Sequence, residues 1–134
     1  MGKKTKMILI IAAIIVIAGL VFAGFMIRIR QNQERAYTAV VETIDISTLA
    51  DGTYTGTYNA FPVTAGVSVV IADHAIVSID LIKHLNGQGE AAESIPQMVV
   101  DAQSLQVDTV SGATYSSKVI LLAIQAALQS AAGE

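Results

Sequence analysis

The densest group of potentially reactive side chains in this sequence lies at residues 108–117. This segment, DTVSGATYSS, combines one carboxylate with five serine or threonine hydroxyls around a Gly-Ala step. An apolar helical pattern follows directly, and a helix start offers backbone N–H groups and a favourable dipole to an anion. Ser111-Gly112-Ala113-Thr114 is therefore a candidate phosphate-binding turn, with the hydroxyls of Ser111 and Thr114 near the anion.

A purely structural explanation of the same segment is also open. Ser116 or Ser117 can cap the following helix, and one cap is sufficient. The other hydroxyls would then be redundant caps around a turn that contains Gly112. From residue types alone, an anion site and a capped turn stand as alternatives.

Two helical regions must position this segment. The final helix is predicted from about residue 115 to 131, with Gln125 and Gln129 on its solvent side. Its buried side is predicted to carry six apolar residues: Val119, Ile120, Ala123, Ile124, Ala127 and Leu128. An earlier helical region at about 91–104 is opened or kinked by Pro96, and an extended piece at 105–110 links the two.

Three strands precede the helices. Alternating patterns predict a first strand at 53–58, a second through Val67, Val69 and Ile71, and a third through Val77, Ile79 and Leu81. The last two are joined at 72–75 by a short hairpin, in which His74 is expected to be a turn residue and not a ligand. Tyr54 and Tyr58 share one strand face and are expected in the core. Four acidic residues are read as solvated side chains: Asp73, Asp80, Glu90 and Glu93.

Residues 7–27 form an uncharged apolar stretch. As a helix it would span about 31 Å, enough to cross a bilayer. A cleaved signal peptide, with a site near Val21-Phe22-Ala23, is the alternative. An uncleaved anchor is favoured, because the apolar stretch continues past that site and ends at Arg28-Ile29-Arg30.

The elements predict an α+β fold and four regions. An N-terminal transmembrane helix precedes a small antiparallel sheet that packs against two to three helices. The regions are a cytoplasmic tail at 1–6, a transmembrane anchor at 7–27, a stalk at 28–47 and a compact domain at 48–134. Three lysines in the tail favour keeping it in the cytoplasm, so the domain is expected on the extracytoplasmic side of the cell membrane.

Charge and cysteine content exclude several functions. The chain has no cysteine, which rules out disulfides and thiolate metal sites, and no metal site is predicted. From residue 41 onward two basic residues face ten acidic ones. An acidic body of this kind is a poor partner for nucleic acid, since neutralising phosphates requires a basic face.

The stretch Asp108-Thr109-Val110-Ser111-Gly112-Ala113-Thr114 resembles the flavinylation motif of the FMN-binding domain family. That family includes the FMN-carrying subunits of sodium-pumping NADH:quinone reductase and Rnf complexes. Its motif is Asp, two free positions, Ser or Thr, Gly, Ala, and a final Thr or Ser that receives FMN from a flavin transferase consuming FAD. The resemblance implies FMN as cofactor, bound covalently at Thr114, with Asp108, Ser111, Gly112 and Ala113 as further cofactor-binding residues.

The resemblance covers about residues 50–130 and includes 51–57, the hairpin, His84 and 103–105. It implies that His84, Gly87 and Gly89 contact the cofactor, although Asn86-Gly87-Gln88-Gly89 departs from the Thr-Pro-Gly-type segment of many members. From the strand pattern, His84 faces away from Val77, Ile79 and Leu81, so a surface or capping role is its alternative. Tyr115, next to the acceptor, is the candidate for stacking on the flavin.

Together these features imply a single-pass, membrane-anchored flavoprotein that relays electrons on the extracytoplasmic side. The implied partners are the flavin transferase, redox partner proteins or a quinone-linked membrane complex, and the membrane itself. No catalytic residue is assigned, because the sequence contains neither a nucleotide-binding Gly-rich fingerprint nor a catalytic triad. The alternatives are an FMN-dependent reductase with its own small-molecule substrate and a non-redox, membrane-anchored recognition module.

Overall fold

A computed structural model describes residues 2–85 and 90–133 of the chain. The chain divides into two compact units, Met1–Asn32 and Gln33–Glu134. Helix α1 (Lys3–Thr38) forms the first unit and supplies the first residues of the second. Among the described residues it is the one helix long and apolar enough to cross a membrane. Gly87 and Gly89, implied as cofactor contacts, lie outside the described residues.

The second unit is built on a three-stranded antiparallel sheet in the order β1-β2-β3. The strands are β1 (Gly52–Ala60), β2 (Val63–Ala72) and β3 (Ala75–Leu85). Asp73 and His74 join β2 to β3 with φ values of 51° and 61°, the positive values that a two-residue hairpin turn of type I′ requires. The prediction that His74 is a turn residue is confirmed.

Two helices cover one face of the sheet, so the predicted α+β arrangement is confirmed. Helix α3 (Thr114–Ala131) contacts β1 and β2, and α2 (Ile95–Ala102) contacts β3. Pro96 lies in the first turn of α2, where the N–H that proline lacks would have no intrahelical partner. A 3₁₀ turn at Glu90–Ser94 precedes α2. All six residues predicted on the buried side of α3 are buried, and Leu121 and Leu122 join them.

The core face of β1 and β2 follows the predicted alternation. Val67, Val69 and Ile71 are at most 1% exposed, and Tyr54 and Tyr58 pack partly buried against the core, as expected. Side chains two residues apart share a strand face, which explains why this part of the pattern could be read directly.

Strand β3 departs from the predicted alternation at two β-bulges. Val70 pairs with Ser78 and Ile71 with Ile76, so Val77 is the extra residue and is 57% exposed. Val67 pairs with Leu81 and Gly66 with Lys83, so Ile82 is the second extra residue. Each bulge inserts one unpaired residue and shifts the alternation by one. Val77 therefore does not share a face with Ile79 and Leu81, as the predicted alternation required, and Ile76 is buried in its place.

The second bulge also reverses the predicted orientation of His84. His84 pairs with Ala65, which is fully buried on the core face, and directly paired residues of neighbouring strands point to the same face. His84 thus shares the face of Ile79 and Leu81 instead of facing away from them. At the other end of β3, the Gln103 side chain bonds Ile76, accepting from its N–H at 2.8 Å and donating to its carbonyl at 2.7 Å.

The backbones of β1 and α3 touch at Gly56. A Cβ atom on Gly56 would overlap the carbonyl oxygen of Ala123 and the backbone nitrogen of Ala127. Glycine is required at this position because only a residue without a side chain allows such an approach. The contact fixes α3 against the strand.

Residues 39–42 are tied to the same helix. The Lys118 ammonium donates to the Ala39 carbonyl at 2.7 Å, and the Glu42 N–H donates to Gln125 Oε1 at 2.9 Å. The Gln106 side-chain amide donates to the Val41 carbonyl at 3.0 Å. The chain that follows α1 is thereby fixed along one side of α3.

Candidate flavin-attachment site

The hydroxyl-rich segment forms a tight turn that leads straight into α3. The Ala113 N–H donates to the Val110 carbonyl at 2.9 Å, with Ser111 and Gly112 as the central residues of the turn. Gly112 has a φ of 79°, the value that the third position of a type II turn requires. The first helical hydrogen bond then runs from the Ser117 N–H to the Ala113 carbonyl at 2.9 Å.

Among the described residues no side chain caps the start of α3, so the alternative in which Ser116 or Ser117 caps it is wrong. The helix begins at Thr114, so both serines lie inside its first turn. Ser117 is fully buried, and its hydroxyl accepts from the Val110 N–H at 3.0 Å and donates to the Ala113 carbonyl at 2.7 Å. Ser117 therefore braces the turn from inside, while the N–H groups of Thr114, Tyr115 and Ser116 lack intrahelical partners.

The motif side chains divide into exposed and buried positions. Asp108, Ser111, Gly112 and Thr114 are exposed, and Ala113 is 6% exposed. A Cβ on Gly112 would meet no atom within 4 Å, so the outer surface of the turn is open. The Thr114 hydroxyl is thus accessible at a helix start whose N–H groups and dipole favour negative charge.

Tyr115 is held by structural contacts beside Thr114. Its hydroxyl donates to the Ala60 carbonyl at 2.6 Å, and its ring lies 5.3 Å from that of Tyr37, centroid to centroid, at 36°. Burial, and then the neighbouring Tyr37 and Tyr58, raise the pKa of the Tyr115 phenol. The stacking of Tyr115 on the flavin stays a prediction.

The side chain of His84 is buried and bonded to an acid. It is 2% exposed, and Nδ1 lies 3.0 Å from Glu93 Oε1. The surface alternative for His84 is therefore wrong, as is the interpretation of Glu93 as only a solvated acid. The pair joins the end of β3 to the 3₁₀ turn that precedes α2.

Sequence reasoning missed two residues near the attachment turn. Lys118 lies four residues after Thr114. This spacing places both residues on the same side of α3 and could have indicated Lys118 from the sequence. Tyr37 lies in the segment predicted as stalk, and only the folded structure brings it to Tyr115.

The turn places an exposed hydroxyl at the start of the last helix of a small α+β domain. An accessible hydroxyl at an uncapped helix start suits a phosphate ester, so the residues present fit FMN. The FMN-binding domain family matches residues 60–129, more than half of the chain. The chain belongs to this family, and FMN is its cofactor. A search of curated proteins gave no match.

Proposed function

We propose that this protein carries FMN as a phosphoester on Thr114 and relays electrons at the outer side of the cell membrane. The observation that carries the proposal is the exposed Thr114 hydroxyl at the uncapped start of α3, within a complete motif from Asp108 to Thr114. Three backbone N–H groups at this helix start can hold the phosphate oxygens.

The attachment is a phosphoryl transfer with FAD as donor. The Thr114 oxygen attacks the phosphorus of the FMN half of FAD, the bond to the AMP half breaks, and AMP leaves as the hydroxyl gives up its proton. A flavin transferase is the proposed catalyst. The open outer surface of the turn at Gly112 gives that enzyme room to approach.

The electron-transfer chemistry belongs to the isoalloxazine ring, and the protein supplies attachment, exposure and electrostatics. A covalent bond prevents loss of the flavin to the medium outside the cell. Helix α1 suits a membrane anchor by its length and apolar composition. We propose as partners the transferase and a redox protein or quinone-linked complex of the same membrane.

The proposal is tested by coexpressing the full chain with a flavin transferase and examining a denaturing gel for flavin fluorescence. The wild type should fluoresce, and peptide mapping should place FMN on Thr114. Thr114→Ala should lose the signal, whereas Thr43→Ala, which removes another exposed threonine hydroxyl, should keep it. FMN on Ser111, Ser116 or Ser117, or fluorescence that persists in Thr114→Ala, would refute the assignment.

A further inference from the structure

A groove of about 330 Å³ opens within the second unit, close to the attachment turn. It is lined by residues 37–41 and by residues 105–107 with Thr109. Lys118 and Leu121 of α3 complete it. None of these residues was assigned to the cofactor, although Thr109 lies inside the motif at one of its two free positions.

We propose that this groove seats the isoalloxazine ring of the FMN attached to Thr114, with the Lys118 ammonium beside the ring. The inference rests on the proposed attachment at Thr114. Residues four apart on a helix share a face, one turn and about 6 Å apart along the axis. Thr114 therefore precedes Lys118 on the face of α3 that lines the groove, and Thr109 of the motif is itself a lining residue.

The lining suits a flat ring that has an apolar part and a polar edge. Val40, Val41, Leu105, Val107 and Leu121 supply apolar side chains. Irregular backbone at 39–41 and 105–107 supplies peptide groups, and Gln106 supplies a side-chain amide that also donates to the Val41 carbonyl. Apolar walls with a few polar groups are the usual composition of a small-molecule site. Tyr37 adds an aromatic side chain that is 52% exposed and whose ring contacts that of Tyr115.

Lys118 is the charged group of the groove. Its ammonium uses one bond to the Ala39 carbonyl, at 2.7 Å, and an ammonium has three N–H donors. It is one of two lysines after residue 41, in a body with ten acidic residues. A positive charge beside the ring favours the negative charge that the ring gains on reduction, so it raises the reduction potential.

The test compares two pairs of charge variants in the flavin-loaded full chain. Lys118→Gln removes the charge from the groove. Lys83→Gln removes the same charge from β3, next to His84, the other position at which a ring contact was predicted. Val40→Glu adds a negative charge at a groove residue that is 78% exposed, and Val77→Glu adds one at a residue 57% exposed on β3. The readouts are in-gel fluorescence, flavin quenching by neutral acrylamide, and the midpoint potential.

We expect all four variants to keep covalent flavin. Lys118→Gln and Val40→Glu should each lower the ratio of reduced to oxidised flavin at least tenfold. This corresponds to a decrease of about 30 mV in the midpoint potential of a two-electron couple. Lys118→Gln should also increase acrylamide quenching. Lys83→Gln and Val77→Glu should match the wild type. Because Val40 is exposed, its variant decides the outcome even if Lys118→Gln unfolds.

Two failures are distinguishable. In the first, the wild type carries flavin on Thr114, but the groove variants and their controls have equal midpoint potentials. This result overturns the ring position alone. A larger shift in Lys83→Gln than in Lys118→Gln also overturns it and places the ring beside His84. A wild type with no flavin on Thr114 overturns the proposed attachment and this inference together.

Discussion

The Tyr115 hydroxyl lies 2.6 Å from the carbonyl oxygen of Ala60 and donates a hydrogen bond to it. This bond joins the first turn of α3 to the last residue of β1, 55 positions earlier in the chain. Tyr115 follows Thr114 directly, so the bond also restrains the residue proposed to carry FMN. The tyrosine beside the acceptor is thus a connection between helix and sheet.

Removing this hydroxyl should weaken the domain. Tyr115→Phe keeps the ring contact with Tyr37 but loses the bond to Ala60, so the free energy of unfolding should fall by about 1 kcal/mol. Tyr37→Phe, at a residue 52% exposed, should change it by less than about 0.5 kcal/mol. Urea unfolding of both variants measures the difference, and equal effects would contradict the role assigned to the Tyr115 hydroxyl.

The raised pKa of Tyr115 predicts a loss of stability at alkaline pH. The folded state holds this phenol neutral above the pH at which an unfolded tyrosine ionises, about 10. The stabilisation is complete below that pH and is lost as the pH rises through the higher pKa of the folded state. Ultraviolet titration should show a late-ionising phase that is missing in Tyr115→Phe. A titration with the same late phase in the variant would assign the raised pKa to another residue.

A methyl group at Gly56 should be poorly tolerated. Gly56→Ala places Cβ against the Ala123 and Ala127 backbones, and overpacking of this kind costs about 1–3 kcal/mol or more. Gly66→Ala is the matched control, because its Cβ would lie 3.5 Å from Lys83 Cβ and 3.6 Å from Thr57 Oγ1, an ordinary contact. Thermal melts should show a large decrease for Gly56→Ala alone. Similar melting temperatures for Gly56→Ala and Gly66→Ala would mean that β1 and α3 separate readily to accommodate the methyl group.

Gly112→Val should block flavin attachment more than it harms the fold. The open space around Gly112 removes any clash, so the fold bears only the strain of φ 79°. The branched side chain would nevertheless obstruct the approach of the transferase. Gly133→Val is the control, since Gly133 has a φ of 80° with open space and lies beyond the end of α3. Full flavin occupancy in Gly112→Val would show that Gly112 is only a turn residue.

The domain should be accessible from outside the cell. Lys3, Lys4 and Lys6 precede the apolar stretch and favour a cytoplasmic N-terminal side. Protease added to intact spheroplasts should therefore remove residues 40–134 and leave a cytoplasmic control protein whole. Cleavage that requires a broken membrane would show the inverted topology and would remove the proposed compartment for electron relay.

Periodicity predicted β2 and α3 well because their buried residues recur without interruption. Val67, Val69 and Ile71 follow the strand period, and Ile120, Ile124 and Leu128 follow the helix period. Each pattern indicates one face of the element that packs against a continuous apolar layer. Local sequence was sufficient in these elements.

The same reasoning failed where a pairing or a contact depends on distant residues. The bulges at Val77 and Ile82 are defined by pairing with β2, and the one at Ile82 turns His84 to the core face. Ser117 could not be distinguished from a cap, because its bonds to Val110 and Ala113 depend on the helix starting at Thr114. Nothing near Gly56 in the sequence indicates that α3, about seventy residues later, will touch it.

Because α3 contacts β1 at Gly56, the number of helical residues between that contact and Thr114 sets the position of Thr114. Ala123 is fixed against β1, and Thr114 lies nine residues earlier, about 14 Å along a helix. Inserting or deleting one residue between them would rotate Thr114 around the axis by about 100° and shift it by about 1.5 Å. The turn before the helix offers little slack, because Val110 is bonded to both Ala113 and Ser117. In this stretch the number of residues is constrained as strictly as their identity.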